Sequence, residues 1–223
     1  QRAEEWEVPE AGWVNNGMFE TVNAHKCYNS AIAWKLTGRR EFAEKSAEFL
    51  KRLSDRENGY PKRRKACSQQ LVHEGEFFKS CAMAYDLIHD EDVISPELHE
   101  DIHYTFRLFV DFLDWALSDG GISNWSLAEI AGALYCSMDL QDRERIDRFV
   151  FGKGGAMDHL RAGVYSDGWW CECTIGYNQM AAGLFSEYTI ALRPWGINIA
   201  NWWVPAQYSN KVHFRNQHAD GLC

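Results

Sequence analysis

The 223-residue chain is predicted to be all-α, a layer or toroid of stacked antiparallel helical hairpins, on three observations. Apolar residues recur at helical spacing nearly throughout, no alternating strand run competes with them, and the breaks are short polar turns of Gly, Pro and Asp. The first hairpin is read from Tyr28, Ile32 and Leu36, then Phe42, Ala43, Ala47 and Leu50, around the break LTGRR. Further helices are expected at roughly 71 to 89, 97 to 117, 127 to 138, 142 to 163 and 175 to 192. Their punctuation is ENGYP at 57–61, Ser95-Pro96, SDGGISN at 118–124 and Ser166-Asp167-Gly168. One helical domain over residues 1–223 is the expected organisation, and 46% hydrophobic content suffices for its core.

Two helix starts matter for function. Ser126-Leu127-Ala128-Glu129 fits a capping box, which puts Asn124 and Trp125 on the loop just before a helix. Thr174 can cap the next candidate and so place Tyr177 in its first turn. Helix N-termini carry partial positive charge and unpaired N–H groups, so an amide and a phenol at two such ends form a candidate anion site. Taken singly, Asn124 is more commonly a turn residue and Tyr177 a core residue.

Bulk charge narrows the partners. A formal charge of −9 and a pI near 5.4 argue against general affinity for nucleic acid or anionic membrane. No run approaches the length and apolarity of a membrane span, and the first residues have neither a basic nor an apolar leader region, so a soluble chain is expected. Lys62-Arg63-Arg64-Lys65 is the one basic cluster; it could steer a polyanion, though a solvated loop is the commoner role of such a run.

Seven cysteines, an odd number, include no CxxC pair. Cys81 and Cys136 lie inside apolar helical patterns and read as buried thiols. Cys171 and Cys173 flank Glu172, a weak hint of a metal or redox pair, and neither metal nor cofactor is expected. The glycines of FGKGGA (151–156) lack the order of a phosphate loop.

The stretch SDGWWCECTIGYN (166–178) concentrates aromatic side chains where the backbone changes direction, as a binding surface would. Trp125, Trp169 and Trp170 offer flat faces suited to a pyranose ring. Adjacent residues do not easily share one direction, so one of Trp169 and Trp170 should be core; Trp125 and Trp170 are assigned to the cleft. His73 and His218, flanked by polar residues, are the histidines best placed to face it, although a surface role is the commoner one for each.

The order GISNW, a helix, then SDGWWCECTIGYN resembles the heparinase II/III and alginate-lyase type of polysaccharide lyase. In that family an Asn or His before one helix is followed some fifty residues later by a DG-W-x-E-x-x-x-x-Y segment, and here Tyr177 stands 53 residues after Asn124. YNSAIAWKLTGRREFAEKSAEFL (28–50) and FFKSCAMAYDLI (77–88) resemble the preceding hairpins, so the similarity runs from about residue 28 to 200. The resemblance implies an incomplete (α/α) toroid. The family's β-sandwich domain, which contributes a cleft histidine, has no counterpart in this sequence, which reads as a toroid or a piece of a longer lyase. Trp125 stands where some members carry His.

By that resemblance the chain cleaves an acidic, uronate-containing polysaccharide by β-elimination, with Asn124 and Tyr177 as catalytic residues. Trp125, Trp170, Glu172 and His73 are the expected substrate-binding residues, and the expected location is secreted or periplasmic. The C5 proton of a uronate is weakly acidic while the carboxylate is ionised, so hydrogen bonding at that carboxylate must strengthen in the transition state. A carboxamide can donate there without titrating. A phenol, ordinarily ionising near pH 10, serves as a base at neutral pH only under positive potential, such as a helix N-terminus supplies. Glu172 is expected to position the loop, or to bond Tyr177 or sugar hydroxyls. A carbohydrate-binding toroid without chemistry, and a glycoside hydrolase using Glu172 and Asp167, are the alternatives. Asn124-Trp125-Ser126 is also a glycosylation sequon, and a glycan there would block the lyase role.

Overall fold

The computed structural model describes residues 3–10, 19–60 and 71–201. The basic cluster at 62–65, Cys67, His218 and Cys223 lie outside the described residues. Among the described residues eight α-helices follow one another: α1 (Thr21–Thr37), α2 (Arg40–Ser54), α3 (Leu71–Ile88), α4 (Pro96–Ala116), α5 (Asn124–Asp139), α6 (Arg143–Phe151), α7 (Ala156–Gly163) and α8 (Ile175–Ala191). Among the described residues there is no strand, only an isolated bridge between Val164 and Trp170. No described helix is long and apolar enough to cross a membrane.

Local chemistry explains the boundaries. Gly38, at φ 69°, ends α1 in the left-handed region with its N–H donating to Trp34 O. Ser95 caps α4 ahead of Pro96, which needs no hydrogen-bond donor at that position. The segment expected as one helix over 142 to 163 is two. Its glycine run breaks it between Phe151 and Ala156, with Gly154 at φ 69° and so close to Gly120 that a Cβ would sit 2.8 Å from the Gly120 Cα.

The helices sort into two sets. Helices α1, α3, α5 and α8 pack side by side in that order, while α2, α4 and α6 lie beside them. Direction follows from paired residues. His25 meets Glu76 at 3.0 Å and Lys35 meets Glu91 at 2.8 Å, so α1 and α3 run the same way. Gly75 abuts Ala128 and Glu129, while Asp86 and Asp139 share a cavity further on, so α3 and α5 also run together. In the second set α4 and α6 likewise run together: Arg145 and Arg148 of α6 pair with Asp111 and Asp114 of α4 at 2.5 and 2.7 Å. The N-termini of α1, α3 and α5 therefore gather at one end of the layer.

Between the sets lies an aromatic core. Phe78 and Phe109 stack at 3.9 Å, and Tyr60 meets Phe78 edge-on at 4.8 Å. Cys81 and Cys136 are buried free thiols, as their apolar context predicts, and burial raises both far above the ordinary thiol value.

Glu74 and Glu129 are both buried where α3 and α5 touch. Burial, and then the neighbouring Glu74, push the Glu129 carboxyl up to about 8. The folded state thus holds Glu129 protonated where the unfolded chain ionises near 4.5, so stability is greatest below that value and falls as pH rises towards 8. Glu129→Gln is expected to remove this slope and to stabilise the protein at pH 8.5 by on the order of 2 kcal/mol, read from denaturant midpoints at pH 5 and 8.5. An unchanged slope would show that Glu129 is ionised in the fold.

Candidate functional site

The loop between α7 and α8 is a tight hairpin. Tyr165 N–H donates to Trp169 O at 2.9 Å, Cys171 N–H to Gly163 O at 2.8 Å, and Gly168 takes φ 87° at the tip. Asp167 serves that turn, its Oδ1 accepting Trp169 N–H at 3.1 Å. The hairpin sends its two tryptophans in opposite directions, and the sequence-based assignment is reversed. Trp170 is 1% exposed and Trp169 is 42% exposed. The reason lies in Gly163, whose missing side chain leaves room for the Trp170 ring, and in His159, on which that ring stacks at 6.2 Å and 3°. Trp170 is therefore core; Trp169 takes the exposed position.

The capping box also differs from its predicted form. Ser123, not Ser126, is the N-cap of α5: its Oγ accepts Ser126 N–H, and Ser126 Oγ accepts Ser123 N–H, both at 3.1 Å. Asn124 and Trp125 consequently occupy the first turn rather than the loop before it. Asn124 is 5% exposed in that turn, while Trp125 beside it remains 50% exposed. Below them lies the buried His159, a residue the sequence reading missed. Its Nδ1 meets Gly155 O at 2.9 Å and its Nε2 meets Ser126 Oγ at 2.8 Å. Burial holds its pKa below the ordinary value, so it stays neutral, donating from Nδ1 and accepting from the Ser126 hydroxyl. Its spacing from Ala156 and Gly163 matched the buried face of α7 and was the available signal.

Glu172 joins the two halves. One oxygen, Oε2, accepts the backbone N–H of Asn124 at 3.1 Å and the indole N–H of Trp170 at 2.6 Å. The carboxylate thus sits on the first free donor of α5, where the helix dipole and charge-assisted bonding favour an anion. This corrects one expectation: the positive end of α5 is answered by a side chain of the protein itself. Trp170 N–H in turn donates to Asn178 Oδ1 at 2.9 Å, one residue beyond Tyr177. Asn124, Glu172, Trp170 and Asn178 form a continuous chain from the start of α5 to the start of α8.

The second helix start is as expected. Thr174 Oγ1 accepts Tyr177 N–H at 3.1 Å, and Tyr177 is 43% exposed in the first turn of α8. Gly176 beside it has open space around its Cα, and Cys173, at φ 56°, makes the left-handed step into the cap. His73 is exposed in the first turn of α3, and no hydrogen bond ties it to this group. Among the described residues no cluster of His, Cys, Asp and Glu could hold a metal ion, and Cys171 is a free thiol. No family model matches the sequence, and no curated protein matches it.

Proposed function

We propose that this chain is a helical, incomplete (α/α) toroid of the polysaccharide-lyase kind, acting outside the cytoplasm on an acidic, uronate-containing glycan. What supports this reading is the Glu172 carboxylate, which ties the helix start bearing Asn124 to the loop leading into Tyr177. The backbone N–H of Asn124 and the side chain of Asn178, the residue after Tyr177, are thereby linked through one hydrogen-bonded chain. The Asn124 carboxamide would donate to the uronate carboxylate. With α5's positive end already answered by Glu172, that contact carries the stabilisation of the enolate-like transition state. Tyr177, as phenolate, would take the C5 proton; the C5–H electron pair forms the C4–C5 double bond, the C4–O4 bond breaks, and Tyr177 gives that proton to the departing O4. Trp125 and Trp169 would receive the pyranose faces.

A hydrolase needs two carboxyl groups free to act on one bond. Asp167 and Glu172 are instead bound to backbone and indole N–H groups, which favours the lyase reading. The test is incubation with heparan-type, alginate, hyaluronan and ulvan chains while following the ultraviolet band of 4,5-unsaturated uronates. Growth of the band on one of them is expected. New reducing ends without the band would identify a hydrolase, and binding without either product a carbohydrate-binding module.

A further inference from the structure

At the end of the layer opposite Asn124 lies a cavity of about 570 Å³, formed where α3, α5 and α8 finish. At 1.5 Å rise per residue, α5 separates the two ends by roughly 22 Å, so this is a distinct place in the molecule. Its walls carry the rings of Tyr28, Tyr85, Tyr135 and Trp195 and the carboxyl groups of Asp86 and Asp139. No Lys or Arg lines it. The nearby cations are engaged: Lys79 with Glu76 and Glu187 at 2.9 and 3.0 Å, and Arg143 with Asp147 and with Trp195 O.

Apart from His89, which pairs with Asp90 at 3.1 Å, the charged and dipolar groups at this cavity are of one sign. Helix C-termini present partial negative charge, and three of them end here. Asp139 adds a carboxyl whose Oδ2 is sealed from solvent and has no hydrogen-bond partner among the described residues. Burial, and then Asp86, raise its pKa well above the carboxylate range, which is the mark of an acid lacking a counter-charge. Aromatic faces favour cations as well. A metal ion is a poor match, since no described group offers three His, Cys, Asp or Glu ligands. The unpaired carboxyl needs a counter-charge, the rings suit an apolar or cationic body, and the volume suits a small molecule.

We propose that this cavity is a binding site for a small organic ammonium ion, paired with Asp139 and Asp86 and enclosed by the tyrosine and tryptophan rings. The site is independent of the lyase reading. The test uses choline and its uncharged isostere 3,3-dimethyl-1-butanol, titrated into the whole chain by calorimetry. Choline is expected to saturate with Kd below ~1 mM and the alcohol to bind at least ~10-fold more weakly, since charge is the one difference between them. Asp139→Asn and Asp86→Asn should each weaken choline binding at least ~10-fold. Asp86 is exposed, so its variant tests the pairing without disturbing the core, and melting curves of both variants establish that they fold. Equal affinity for choline and the alcohol, no binding of choline up to ~20 mM, or unchanged binding by both folded variants would each overturn the proposal.

Discussion

Replacing Tyr177 with phenylalanine is expected to lower β-elimination by at least ~100-fold while leaving the melting temperature and glycan affinity close to wild type. The two halves of this expectation rest on different facts. In the proposed reaction the Tyr177 hydroxyl carries the proton between C5 and O4, so turnover should be lost with it. The fold should not respond, because Tyr177 is 43% exposed and its link to the Thr174 cap runs through the backbone N–H, which phenylalanine keeps. Turnover surviving at wild-type level in a folded Tyr177→Phe protein would remove Tyr177 from the chemistry. Phenylalanine also retains the ring, so a loss of binding rather than of rate would identify a sugar-stacking role instead.

Gly75→Ala is expected to destabilise the protein by roughly 3 kcal/mol or more, among the largest effects of any single methyl group in this chain. Helices α3 and α5 approach each other through backbone. A Cβ on Gly75 would collide with Ala128 O and the Glu129 Cα, and one on Gly132 would come within 2.5 Å of Gly75 O. Those atoms belong to helix backbones and cannot rotate aside, so relief requires the two helices to separate. The buried pair Glu74 and Glu129 lies at the same contact and would be disturbed as well. Gly183→Ala in α8 is the internal control. That glycine has helical backbone and open space around it, and alanine there should stabilise by about 0.4–1 kcal/mol. Denaturant unfolding of the two variants should therefore shift in opposite directions. A neutral Gly75→Ala would mean that the α3–α5 contact is looser than its geometry.

Much of the architecture was legible in the sequence because its signals are local. Helical spacing, Ser95-Pro96 and Thr174 act over one turn, and the helices they predict begin and end within a few residues of the observed ones. The glycines at 152–155 carried a local signal too, and reading through them merged α6 with α7. The α5 cap was displaced because two serines three residues apart offered two registers. Ser123 prevailed because Ser126, one turn into the helix, is held from below by His159. That is a contact across 33 residues, which local spacing does not reveal.

The sequence by itself determined the helical class, the open helix start that presents Tyr177, and the burial of Cys81 and Cys136, since periodicity and capping are properties of neighbouring residues. Tertiary structure decided the rest. It sent Trp170 inward because Gly163 and His159 make a slot for its ring, and left Trp169 outside. It placed Glu172 on the N–H of Asn124, closing a helix end that the sequence left open to a ligand. It gathered acids and aromatic rings from distant helices around the cavity at the far end. Each of these depends on which surfaces meet, and that is set by packing between helices far apart in the chain.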